Sequence, residues 1–307
     1  MFSVGLASIL CLSACGADSG GETSGLTGLT GTAGDTGSTG GPASTSTASP
    51  TSGGGSESSG GSESGGVELE KFSFFVTSLK AMQALSGSPL GFGGDLRFGE
   101  QGPGAGLRGA DKICSAVAEM SMPGSAQKQW RAFLSVASDA DGQPVNAIDR
   151  IGEGPWYDRL GRLVANTRAD LLHDRPAGAD PAIVNDLPNE NGIPNKRPEP
   201  TLPEEDNHHT LTGSDTQGAL FGAMATCRDW TSANGDLATE GRPRVGLTFP
   251  REGGKMDSTS MNWISALIES GCAPGVTLIP TPMPGPDVVD VGSGGGYGAI
   301  YCFALSP

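Results

Sequence analysis

Apolar and polar positions are distributed unevenly along this chain, and the unevenness divides it. Lys71–Ser78 (KFSFFVTS) places Phe72, Phe74 and Val76 at every second position, the period of a strand with one buried face. Ala81–Gly106 breaks the pattern with glycines and reads as a loop. From Ala110 to Met120 the residues Ala110, Ile113, Cys114, Val117 and Ala118 recur at helical spacing. Asp111 falls in the first turn of that helix, where the dipole favours an acid, and Pro123-Gly124 ends it. Trp130–Val136 (WRAFLSV) reads as a strand. Ile148–Arg150 and Trp156–Ala165 read as short strands around turns, with Leu163 and Val164 buried. Asp174–His209 holds seven prolines and predicts a loop of a length that is uncommon unless it has a function. Leu211–Gly218 reads as a strand and a turn, and Arg244–Phe249 as a short strand or an inserted hairpin. Met261–Glu269 spaces Met261, Ile264, Leu267 and Ile268 as one or two helical turns. Ala273–Gly296 is a Pro/Gly-rich insertion and Ala299–Ala304 (AIYCFA) a closing strand. Short strands, one main helix and long loops predict an α+β domain.

Composition sharpens the division. The chain has 307 residues, 50 of them Gly, and the Gly excess is concentrated at 16–66, a stretch of Gly, Ser and Thr without Lys, Arg or aromatic residues. All four Trp and all three Tyr follow it. The predicted order is a leader at 1–15, a flexible tether at 16–66 and one domain at 67–307. Net charge is −15, and the tether holds only five of the acids (Asp18, Glu22, Asp35, Glu57, Glu63). The domain is therefore acidic, which argues against nucleic acid, an anionic membrane surface or a heparin-like polyanion as partner. No apolar run approaches the roughly 18 residues that a membrane-spanning helix needs.

Met1–Cys15 reads MFSVGLASILCLSAC, with an apolar run over Val4–Leu12 of the length of a signal-peptide core. Leu12-Ser13-Ala14-Cys15 resembles the bacterial lipobox, although no Lys or Arg precedes the run. The resemblance implies diacylglycerol and fatty acyl groups on Cys15, a membrane partner reached through that lipid, and, with Gly16 next, export to the outer membrane or cell surface. Two or more acyl chains hold stably where one does not. A Gly/Ser-type coil of this length has a root-mean-square reach of about 40 Å.

With Cys11 in the leader and Cys15 lipidated, Cys114, Cys227, Cys272 and Cys302 remain. An even number in an exported domain implies two disulfides, and spacing leaves three connectivities open. No C-x-x-C pair is present, which argues against a zinc ribbon or a thioredoxin-like site.

Several blocks in order carry a resemblance: Gly106–Cys114 (GLRGADKIC), Trp130–Ser135 (WRAFLS), Asp149–Ala165 (DRIGEGPWYDRLGRLVA), Thr212–Gly218 (TGSDTQG), Cys227–Ser232 (CRDWTS), Gly271-Cys272 and Tyr301–Ala304 (YCFA). Together they resemble the endostatin-like domain at the C-terminus of multiplexin collagens and its bacterial relatives, lipoproteins with Gly/Ser/Thr-rich tethers. The resemblance implies a C-type-lectin-like fold: a twisted, mostly antiparallel sheet with one main helix and long loops. It also implies nested disulfides, Cys114–Cys302 and Cys227–Cys272, and Trp130, Trp156 and Trp230 as core anchors.

The family's own chemistry carries over in part. Vertebrate endostatin binds zinc through N-terminal histidines, and Val67–Lys71 has none. Its heparin binding needs a basic face that this acidic domain lacks. Calcium-dependent lectins use an acid or amide, then Pro, then Asn or Asp; Leu187-Pro188-Asn189 and Ile193-Pro194-Asn195 have an apolar residue at the first place, where calcium needs an oxygen. Asp186, Glu190, Glu204, Glu205 and Asp206 still make this loop acidic, either as a calcium or ligand loop or as a solvated one. No other cofactor and no metal site is expected. His208 and His209 point to opposite faces if they lie in a strand, which disfavours joint ligation, and His173 is the remaining histidine. A Ser–His–Asp hydrolase using either histidine lacks a G-x-S-x-G elbow. Trp263 is the tryptophan expected at the surface, on the ligand face. Gly292–Gly298 (GSGGGYG) lacks the G-K-[ST] of a phosphate loop and reads as a turn. The formylglycine-generating oxidase shares the lectin-like fold but needs redox-active cysteines, whereas these four read as structural. The expectation is a surface-anchored binding or adhesion module with a carbohydrate or protein ligand; the alternative is an envelope enzyme acting on carbohydrate, or a structural envelope protein.

Overall fold

The computed structural model describes residues 70–195, 208–249, 262–278 and 288–306. The leader, Cys15, the tether and the loop acids Glu204, Glu205 and Asp206 lie outside the described residues. The described part is an α+β domain with a mostly antiparallel sheet of six strands and a separate two-stranded ribbon.

The chain enters through β1 (Phe74–Val76) and α1 (Leu79–Ser86). The long helix α2 (Ala105–Ser121) precedes β2 (Trp130–Ala132), and the ribbon β3 (Trp156–Tyr157) with β4 (Leu163–Ala165) leads to a one-turn helix, α3 (Arg168–Leu171). Then come β5 (His209–Leu211), β6 (Arg244–Leu247), β7 (Leu267–Ile268) and the nine-residue β8 (Gly296–Ala304). The sheet runs β1-β8-β5-β6-β7. Strand β8 is its spine: β1 pairs antiparallel with one edge, while the other edge is shared by antiparallel β2 and parallel β5. Every residue of β8 is buried, as a strand covered on both faces must be.

Burial corrects the reading of the first strand. Phe72 through Thr77 are all buried, not only alternate residues. Phe74 meets Tyr301 and Phe303, while Phe75 meets Trp130, so both faces of β1 are in the core. Residues 81–86, expected in a loop, belong to α1, with the Ser78 side chain accepting from the Ala81 N–H. Helix α2 starts earlier than its periodicity implied, at Ala105. Asp111 is consequently inside the helix rather than in its first turn, and pairs with Arg150 at 2.7 Å while accepting from the Ala132 N–H at 2.9 Å. Gly106 and Gly109 of that helix face backbone: a Cβ would lie 2.0 Å from the Asp229 carbonyl oxygen and 2.1 Å from that of Arg97. The glycines of the GLRGAD block let two loops press against the helix.

Residues 148–150, expected as a strand, lie instead in a short 3-10 turn over 147–150. Residues 262–269 are not helical either; the Asn262 side chain accepts from the Ile264 and Ser265 N–H groups, a local bond that competes with a helix, and the chain continues into β7.

Two disulfides tie the domain. Cys114 on α2 joins Cys302 on β8, with Cα atoms 5.5 Å apart, and Cys227 joins Cys272 at 5.7 Å. This is the nested pairing that the endostatin resemblance implies. Bonds of this kind persist in oxidising compartments. Among the described residues no helix is long and apolar enough to cross a membrane. The second disulfide adjoins an unusual segment: Cys227, Arg228, Asp229 and Trp230 all have positive φ, between 47° and 62°. Left-handed helical geometry costs roughly 1–2 kcal/mol per residue for L-amino acids. It is offset here by the Asp229 carboxylate accepting from the Ala137 N–H at 2.6 Å and by the Trp230 indole donating to the Ser135 carbonyl at 2.9 Å.

Candidate functional site

The loop at 187–195, part of the long Pro-rich segment, is tightly held. Pro188 accepts from the Val76 N–H, so the loop extends the β1 edge. Asn189 accepts from Gly192 through its backbone, and from the Asn191 and Ile193 N–H groups through its side chain. That is an Asx turn closing on a Gly, the chemistry expected of N-x-N-G. The Asn195 amide donates to the Leu187 carbonyl at 2.7 Å, and Arg162 to the Gly192 carbonyl at 2.6 Å.

Glu190 is the keystone. It is 5% exposed. Its two carboxylate oxygens accept from the Ser78 N–H at 2.9 Å and the Ser78 hydroxyl at 2.6 Å, while its carbonyl accepts from the Ser121 hydroxyl at 2.5 Å. Burial raises the Glu190 carboxyl above the ordinary value, against the lowering effect of the Ser78 bonds. The sequence reads Glu190 as part of an acidic loop, either ligand-binding or solvated; here its carboxylate is buried against the Ser78 cap of α1 and its carbonyl ties the loop to Ser121 of α2. The expected acidic cluster is also divided: Asp186 acts on the charge of Arg175, not on the Ser78 contact. Among the described residues no group of three His, Cys, Asp or Glu side chains is placed to hold a metal ion.

Between this loop and α1 lies a cleft of about 630 Å³. Ser78, Leu79, Lys80 and Gln83 form one wall, the loop from Asn189 to Asn195 the other, and Leu278 and Tyr297 the end. Much of its polar lining is already committed. Gln83 donates to the Pro89 carbonyl at 2.8 Å and the Tyr297 hydroxyl to the Thr77 carbonyl at 3.0 Å. Among the described residues the Lys80 ammonium and the Asn191 amide have no partner. A rigid frame with a free cation and a free amide is equipped to orient a hydroxyl-rich ligand.

The other predicted site residues lie elsewhere. Trp263, expected at the surface, is fully buried. Its ring meets Phe133, Tyr301 and Phe303, and its indole donates to the Leu171 carbonyl at 2.8 Å. The polar neighbours Asn262 and Ser265 concealed a core residue. His208 and His209 do not diverge: their rings are 4.3 Å apart, edge to face. His208 lies outside β5, which begins at His209, so strand alternation does not govern the pair, and Gly294 and Gly295 make room, since a Cβ at either would lie 2.1 or 2.0 Å from an imidazole carbon. His209 Nδ1 meets Glu269, whose other oxygen accepts from the Ser293 hydroxyl at 2.8 Å and the Gly294 N–H at 3.1 Å. The carboxylate stands between serine and histidine here, which is not the order of a hydrolase triad. Burial opposes ionisation of Glu269, but the His209 ring, Ser293 and Gly294 together hold its carboxyl below the ordinary value.

Fold and site together define a disulfide-tied α+β domain with a polar, loop-built cleft. No protein-family model matches the chain, and no curated protein matches it.

Proposed function

We propose that this chain is a lipid-anchored surface protein whose endostatin-like, C-type-lectin-like domain binds carbohydrate, without calcium, in the cleft between α1 and residues 189–195. The observation that carries the reading is the cleft itself: Lys80 and Asn191 stand unpartnered among the described residues, on walls fixed by the buried Glu190–Ser78 contact. A pre-formed loop loses little freedom on binding, which favours affinity for a weakly held polar ligand. The nested disulfides and the packing of α2 on the sheet support the lectin-like fold. Calcium is left out because the lining described for the cleft contains no carboxylate and both oxygens of Glu190, on the same loop, are engaged by Ser78. Binding rather than turnover is the proposed role, and Cys15 is the proposed anchor.

The test is a glycan array probed with the full chain in EDTA, with Asn191→Ala and Lys80→Ala alongside. The reading expects glycan binding that survives EDTA and weakens at least tenfold in both variants. Binding that EDTA abolishes, or that neither variant changes, contradicts it. Labelling with a fatty-acid analogue tests the anchor: label in the wild type and none in Cys15→Ser is expected, and equal label refutes it.

A further inference from the structure

A second concavity, of about 570 Å³, lies at the far edge of the sheet and has the opposite character. Phe221, Met224, Leu237 and Ile268 line it, exposed by 46%, 51%, 40% and 46%. These are four of the nine large exposed hydrophobic residues described, gathered in one place. Clustered apolar exposure of this kind marks interaction sites, whereas scattered single residues do not. Ile268 belongs to β7, the outermost strand of the sheet order, and an edge strand is a template for an extended chain.

Charge selects among occupants. Arg242 lines the groove, and the Arg244 guanidinium sits 4.5 Å from the centre of the Phe221 ring. Arg242 donates to the Glu269 carbonyl and Arg244 to the Ser265 hydroxyl, each at 2.8 Å. Among the described residues neither arginine forms an ion pair, and the groove lining contains no carboxylate. Glu240 faces Arg228 instead, at 3.5 Å. Burial lowers the Arg244 pKa with no acid to offset it. In a chain of net charge −15 this is a local reversal of sign. A second copy of the chain is a poor occupant, because a symmetric contact would oppose the same arginines across it.

We propose that this groove takes an extended segment of a protein partner whose groove-facing side chains, at every second position, are apolar residues and carboxylates in turn. The apolar side chains would fill the groove beside Phe221, Met224 and Ile268. The carboxylates would meet Arg242 and Arg244, and the backbone would run along β7.

Fluorescence anisotropy with the full chain and three synthetic eight-residue peptides tests this, each with Ser at every second position so that the other four side chains share one face: Leu and Glu in turn, Leu and Lys in turn, and Ser and Glu in turn. The Leu–Glu peptide is expected to bind at least tenfold more tightly than either of the others. Phe221→Ser is expected to weaken it at least tenfold, and Arg242→Glu to abolish its advantage over the Leu–Lys peptide. Circular dichroism melts keep the variants honest, because Phe221 and Arg242 are exposed and both variants should unfold with the wild type. Equal binding of all three peptides, no binding of any, or Leu–Glu binding unchanged in both variants overturns the proposal. So does a concentration-dependent dimer that Phe221→Ser dissolves, or displacement of the peptide by equimolar decanoate.

Discussion

The polar cleft and the apolar groove enclose similar volumes, about 630 and 570 Å³, yet they are held in opposite ways. The cleft is shaped by directed bonds that converge on one buried residue, Glu190: Ser78, 112 residues away in sequence, donates to its carboxylate, and Ser121, 69 residues away, to its carbonyl. The groove is shaped by covalent and steric means: Cys272 Sγ lies 3.6 Å from the Glu240 and Gly241 carbonyls beside it, and its lining is apolar and exposed. The first surface selects by hydrogen-bond direction. The second selects by hydrophobic area and sign of charge. A single domain therefore presents two surfaces that should fail independently.

Removing the Cys227–Cys272 bridge with a Cys227→Ala/Cys272→Ala double variant should have the largest effect. A loop of this length closed by a disulfide contributes about 3–4 kcal/mol in the chain-entropy model. Urea denaturation should show that loss, and peptide binding at the groove should weaken more than glycan binding at the cleft. Glu190→Ala comes next. It leaves the half-buried Ser78 N–H and hydroxyl without their acceptor, at about 1–3 kcal/mol, and should reduce glycan binding at least tenfold while sparing the peptide. Equal damage to both sites by either change would remove the contrast.

A subtler effect concerns pH. Because the folded protein raises the Glu190 carboxyl, the folded state holds its proton more tightly than the unfolded chain does. Stability from this group is complete below the ordinary value of 4.5 and declines as pH rises through the raised value. Glu190→Gln should flatten that part of a melting-temperature profile. Glu269 works in the reverse sense: lowered in the fold, it favours stability above 4.5 and loses it as pH falls further. The acid-side loss should therefore persist in Glu190→Gln. The smallest stability change belongs to Phe221→Ser, within about 0.5 kcal/mol, as for an exposed side chain.

Much of this was legible in the sequence, and the exceptions share a cause. Even cysteine count, the helix around Cys114 and the closing strand at 299–304 were readable because each is a local pattern. Helix α1 left signals as well: Ser78 as cap, an amphipathic LKAMQALS, and Gly87 with φ of 67° as the stop. The glycines that follow hid it. Trp263 and Glu190 give no local sign of their burial, because their surroundings arrive from far along the chain. Trp263 is buried by Phe133, Tyr301 and Phe303, and Glu190 by Ser78. Neither side chain carries that information in its neighbours. The arginine-rimmed groove was invisible for the same reason: Phe221, Leu237 and Ile268 are unremarkable singly and meet only in the fold.

The most direct test crosses the two surfaces in one experiment. Asn191→Ala and Phe221→Ser are each titrated with the strongest glycan from the array and with the Leu–Glu peptide. The account predicts that Asn191→Ala loses at least tenfold for the glycan alone, and Phe221→Ser at least tenfold for the peptide alone. If either variant weakens both ligands equally, or neither changes its own, the claim of two separate binding surfaces is contradicted.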